Sequence, residues 1–185
     1  MSVINSINIV GAEIIPEFLQ LAIRDFKKTL NELISEEQIL ECVDIDLILD
    51  KSEKIKNTLK GNSEGYIISS EGYINQDRED LHIYLKSISY RGLMYGLYGF
   101  LYELGIRWYF PGEKYILTKD HGAFKKILLS KVDIKTIPVF KKRGIVIYNN
   151  NSFFTEWLRF SIRNRMNHIA LHSEEGLEKS EQIYE

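Results

Sequence analysis

Arg143-Gly144-Ile145-Val146-Ile147-Tyr148 and, further along, Asn167-His168-Ile169-Ala170-Leu171-His172 are two short apolar runs of strand length. Between them Phe154, Trp157, Leu158, Ser161 and Ile162 recur at helical spacing, with Arg159, Arg163 and Arg165 elsewhere around the helix. Ser152 is placed to cap its start. Strand, helix, strand is the opening unit of a parallel α/β barrel. A complete barrel takes roughly 250 residues, whereas Arg143 to Glu185 is 43 residues. The expected organisation is therefore a first domain over residues 1–137, then the truncated start of a barrel over 138–185, with the parent protein's chemistry encoded beyond Glu185.

Composition narrows the classes. The chain has 185 residues, 44% hydrophobic and 27% charged, as in globular proteins. A net charge of −2 and the lack of a long basic run point away from nucleic acid. The single cysteine, Cys42, excludes an intrachain disulfide and a cysteine-based zinc site, and among apolar neighbours it reads as a small buried hydrophobe. Met1 to Gly11 lacks the layout of a secretory signal, and no stretch reaches the ~20 apolar residues of a membrane span. The sequence as it stands reads as cytoplasmic, without membrane partners. Asn150-Asn151-Ser152 matches a glycosylation acceptor but reads as a turn in that setting.

Alternation predicts strands over Val3–Val10, over Val43, Ile45, Leu47 and Leu49, over Gly65–Ser69 and over Leu81–Leu85, with a last one from Lys131 to Ile137. Glu71-Gly72 and Asn75-Gln76-Asp77 supply turn residues between the middle two. Asp44 and Asp46 read as a solvated strand face, since no calcium-loop pattern surrounds them. His82, alternating with Ile83 and Leu85, reads as solvated or hydrogen-bonded. A helix begins near Pro16, with Phe18, Leu21, Ala22, Phe26, Leu30 and Leu33 on its apolar side and Arg24, Lys27, Lys28 and Glu32 on its polar side.

Ser89 to Gly105 is the most distinctive stretch of the first domain. Leu93, Leu97, Phe100, Leu101 and Leu104 share a helical face, yet Gly92, Gly96 and Gly99 interrupt it. Each glycine costs up to about 1 kcal/mol relative to Ala in a helix, so three together predict a helix lying tight against a sheet. Gly105 is placed to end that helix in a left-handed conformation. The glycines lie inside a helix rather than in a strand-to-helix turn, so they form no dinucleotide cradle, and no cofactor is expected. Ile106-Arg107-Trp108-Tyr109-Phe110-Pro111-Gly112 follows, its aromatic residues suited to core or domain-interface packing or to stacking on a sugar ring.

Two stretches carry a family resemblance. Glu64-Gly65-Tyr66-Ile67-Ile68-Ser69, the run Leu81–Leu85, Arg91-Gly92-Leu93-Met94-Tyr95-Gly96-Leu97-Tyr98-Gly99-Phe100-Leu101 and Leu104 to Gly112 form the first. Pro138-Val139-Phe140-Lys141-Lys142-Arg143-Gly144, with Trp157 and Arg163-Asn164-Arg165-Met166-Asn167, form the second. In this order they resemble the N-terminal domain and the start of the catalytic barrel of glycoside hydrolases of the hexosaminidase and α-glucuronidase type. The resemblance implies an α/β (α+β) fold: a small mixed β-sheet with helices packed on one face, followed by the first βαβ unit of an incomplete (β/α)8 barrel. It implies a non-catalytic accessory domain buttressing a barrel whose loops hold the catalytic acids, with carbohydrate as the partner of the complete enzyme.

Glycoside hydrolysis needs carboxyl groups at a defined separation across the sugar bond. No Asp follows Asp133, and the acids after Arg143 are Glu156 in the helix and Glu174, Glu175, Glu178, Glu181 and Glu185 in a polar tail. No catalytic residue is therefore carried over. The resemblance implies one sugar contact, Arg143, matching the arginine of the family's first barrel strand; the other reading of Arg143 is a solvated boundary residue. The family pattern then has an Asp where this chain has Tyr148, which implies a related branch rather than hexosaminidase specificity itself. His168 and His172 lie about 13 Å apart along a strand, too far for one metal ion. His172, near the C-terminal end of its strand, sits where barrels place functional groups, for ligand contact or for a structural role at the strand end. The alternative expectation is a stand-alone carbohydrate-binding or protein-interaction module using Trp108 and Tyr109. An isolated βαβ unit also leaves strand edges uncovered, which predicts mobility, packing back on the first domain, or self-association after residue 138.

Overall fold

A computed structural model describes residues 4–37, 42–75, 78–117, 132–148 and 153–172. They form a mixed α/β protein with four helices, one mixed five-stranded sheet and two two-stranded sheets, and no closed barrel among the described residues. Contacts divide the chain into two compact units: Met1–Ile106 with Ile116–Pro138, and Arg107–Tyr115 with Val139–Glu185. The division after Pro138 is accompanied by one excursion, Arg107–Tyr115, that belongs to the second unit.

The first unit runs β1 (Ile4–Val10), α1 (Glu17–Glu37), β2 (Cys42–Leu49), α2 (Glu53–Thr58), β3 (Tyr66–Asn75), β4 (Arg78–Ser87), α3 (Tyr90–Glu103) and β7 (Asp133–Thr136). The two-residue strands β5 (Ile106–Arg107) and β6 (Tyr115–Ile116) pair with each other. The main sheet has the order β1-β2-β4-β3-β7. β1, β2 and β4 are parallel; β3 runs antiparallel to both β4 and β7. The parallel half follows from α1 carrying the chain back between β1 and β2, the antiparallel half from the β3–β4 hairpin.

Strand alternation decides which face is covered. Val43, Ile45, Leu47 and Leu49 of β2 and Leu81, Ile83, Leu85 and Ser87 of β4 are buried, with Tyr66, Ile68 and Ser70 of β3. α3 packs on β2, β3 and β4, and α1 packs on α3. Every residue of α3 from Gly92 to Leu101 is buried, because the helix is held between the sheet and α1. Its glycines are the contact points. A Cβ added at Gly96 would stand 2.6 Å from Leu85 Cδ2, and one at Gly99 would stand 2.3 Å from the Tyr66 hydroxyl. Ser89 caps the helix, its Oγ accepting from Gly92 N at 3.0 Å, and Gly105 leaves it at φ +85°. Tyr98 Oη donates to Asp25 Oδ2 at 3.0 Å, which ties α3 to α1.

Two expectations need correction. Phe18 and Leu21 are exposed rather than part of the apolar stripe of α1, which is instead Leu19, Ala22, Phe26, Leu30 and Leu33. Glu71 and Gly72 form no turn: β3 continues through them to Asn75, where Arg78 pairs across the hairpin. The start of the predicted last strand, Lys131, lies outside the described residues, and β7 covers Asp133–Thr136.

The second unit contains β8 (Gly144–Tyr148), α4 (Phe154–Arg163) and β9 (His168–His172). β8 and β9 pair in parallel, Gly144 opposite His168 and Tyr148 opposite His172, so α4 is the crossover of a βαβ unit. Ser152 lies outside the described residues; the residue at the N-cap is Phe153, which makes no side-chain capping bond. Of the predicted buried face of α4 only Ser161 is buried, and its Oγ has no hydrogen-bond partner among the described residues.

Candidate functional site

Arg143 is committed to the main chain around it. Its Nη1 donates to Phe140 O at 2.7 Å, and its Nε and Nη2 donate to Arg165 O at 3.2 and 3.1 Å. Its own backbone is anchored too: Arg143 N donates to Asn167 Oδ1, and Asn167 N and His168 N donate to Arg143 O. The guanidinium thus clamps the turn that feeds β9, in which Arg165 holds a left-handed φ of 58°. A rigid fork of donors suits this bidentate grip on a carbonyl as well as it would suit a sugar. His172 is the last residue of β9, opposite Tyr148, and its side chain lies outside the described residues. Register keeps Arg143 and His172 at opposite ends of the β8–β9 ladder.

The aromatic run splits in two. Trp108 is 5% exposed, its carbonyl accepts from Asn164 Nδ2 at 3.1 Å, and the Arg163 guanidinium lies 5.6 Å from its ring centroid. It is an anchor, with a cation over the ring face as the ring quadrupole favours. Tyr109 and Phe110 are exposed, and Tyr109 leans on Tyr115 with ring centroids 5.3 Å apart. The Tyr115 hydroxyl donates to a Glu113 carboxylate oxygen, and that bond, reinforced by desolvation and the carboxylate charge, raises the phenol above its ordinary value.

Among the described residues, a hydrogen-bonded group of polar side chains lies on the outer face of the five-stranded sheet. Strand register sets three rows across it. The first runs Ser6, Asp44, His82, Glu71; the second Asn8, Asp46, Tyr84, Ser69, Asp133; the third Val10, Ile48, Lys86, Ile67, Lys135. Neighbours within a row are about 4.8 Å apart, and rows are roughly 6.7 Å apart. Asp46 Oδ1 accepts from Asn8 Nδ2 at 3.0 Å, and its Oδ2 lies 3.0 Å from His82 Nε2. Asp44 Oδ1 accepts from Asn5 Nδ2 at 3.1 Å and from Ser6 Oγ. The His82 and Tyr84 rings stack at 4.3 Å, 9° from parallel. Asp46 and His82 are 20% and 25% exposed at their side chains, neither free in water nor closed off.

This arrangement orients groups without assembling a reaction centre. Asp46 fixes the imidazole plane of His82, but the described residues place no hydroxyl or thiol nucleophile on it. Asp44 and Asp46 stand side by side on one strand, not on opposite walls of a cleft. Among the described residues no group of three His, Cys, Asp or Glu side chains could hold a metal ion. Asp44, Asp46 and His82 are each visible in the sequence as polar residues on alternating strands. Their assembly depends on β2 lying between β1 and β4, which no local pattern announces.

No family description and no curated protein matches this chain. No helix among the described residues is long and apolar enough to cross a membrane.

Proposed function

We propose that the chain carries the non-catalytic N-terminal domain of a carbohydrate-active enzyme of the hexosaminidase and α-glucuronidase type, followed by the opening βαβ unit of its catalytic barrel. The carrying observation is the contrast between the two units. In the first, one face of the sheet is covered by α3, itself covered by α1, and the exposed apolar side chains Val10, Ile14, Phe18 and Leu21 lie outside that buried layer. In the second, Val139, Phe140, Val146, Phe153 and Leu158 are all exposed. A parallel sheet is normally buried on both faces, and a two-stranded one leaves its edges open. Further βα units on those edges would bury this surface. The division of labour also fits the acids: Glu156 of α4 is paired with Arg159, and no Asp follows Asp133.

The test is an assay of the purified chain on aryl glycosides of hexosamine and of glucuronic acid. No turnover above buffer is expected. Turnover that co-purifies with the chain through orthogonal columns would overturn the non-catalytic reading.

A further inference from the structure

We draw no further inference here: the strongest candidate, the edge of the five-stranded sheet along the uncharged strand β1 (Ile4–Val10) with the exposed Val10 at its end, carries nothing because nothing in the structure shows what covers it.

Discussion

Gly92 of α3 faces Ser87 of β4 with no space for one further carbon: a Cβ on Gly92 would lie 2.0 Å from Ser87 Oγ and 2.6 Å from Gly65 O. Ser87 is fully buried, and its Oγ donates to Gly65 O at 2.7 Å. In an open helix Gly→Ala stabilises by up to about 1 kcal/mol. Here the added methyl must displace a buried hydrogen bond and part of β3's lead-in. Gly92→Ala should therefore destabilise the chain by about 2–4 kcal/mol, overpacking and the lost bond together. Urea unfolding followed by far-ultraviolet circular dichroism checks it; a neutral or stabilising result would show that the helix can lift off the sheet at no cost.

That contact marks what the sequence reveals. Three glycines in one apolar helix can be read as close approach because nothing else repays their cost, and the alternation of Val43, Ile45, Leu47 and Leu49 marks a one-sided strand before any coordinates are known. The start of α1 is less legible. Phe18 and Leu19 both fit a helical stripe, and only the docking direction of α1 on α3 selects Leu19. The outer face is illegible for another reason: Asn8, Asp46 and His82 are distant in sequence and meet only through the parallel register of β1, β2 and β4. Glu71 reads as a turn because its neighbour is glycine, yet β4 supplies a pairing partner that holds it in β3.

Arg143 acts on Arg165 through two donors on one carbonyl. Lysine keeps the charge but offers a single ammonium point, which cannot span Phe140 O and Arg165 O as the fork does. Arg143→Lys should speed exchange of the Asn167 and His168 amides, both bonded to Arg143 O, by roughly tenfold, the equivalent of about one lost hydrogen bond. Unchanged exchange would mean the clamp does not hold the entry to β9.

Asp50 accepts a hydrogen bond from Ser52 N at 2.8 Å beside the start of α2. That bond first, then the Ser52 side chain and the Lys86 and Lys54 charges, hold its carboxyl below the ordinary value of 3.8. A carboxyl depressed in the folded state stabilises it above the unfolded value, and the gain disappears as pH falls through the lower, folded value. The stability difference between wild type and Asp50→Ala should thus be constant near neutrality and shrink as pH drops below about 4. Paired urea titrations from pH 7 to pH 3 measure it; a difference that grows on acidification has the wrong sign for this account.

On the proposed reading the first unit folds by itself, whereas β8 and β9 are covered by further βα units. Hydrogen exchange with mass spectrometric readout, on a sample shown to be monomeric by sedimentation, tests it most directly. Amides of β2 and β4, central in a sheet with one buried face, should exchange only through global unfolding. Amides of β8 and β9 should exchange orders of magnitude faster, through local opening. Protection of Ile145–Ile147 and Ile169–Leu171 equal to that of Ile45–Leu47 in the monomer would contradict the account.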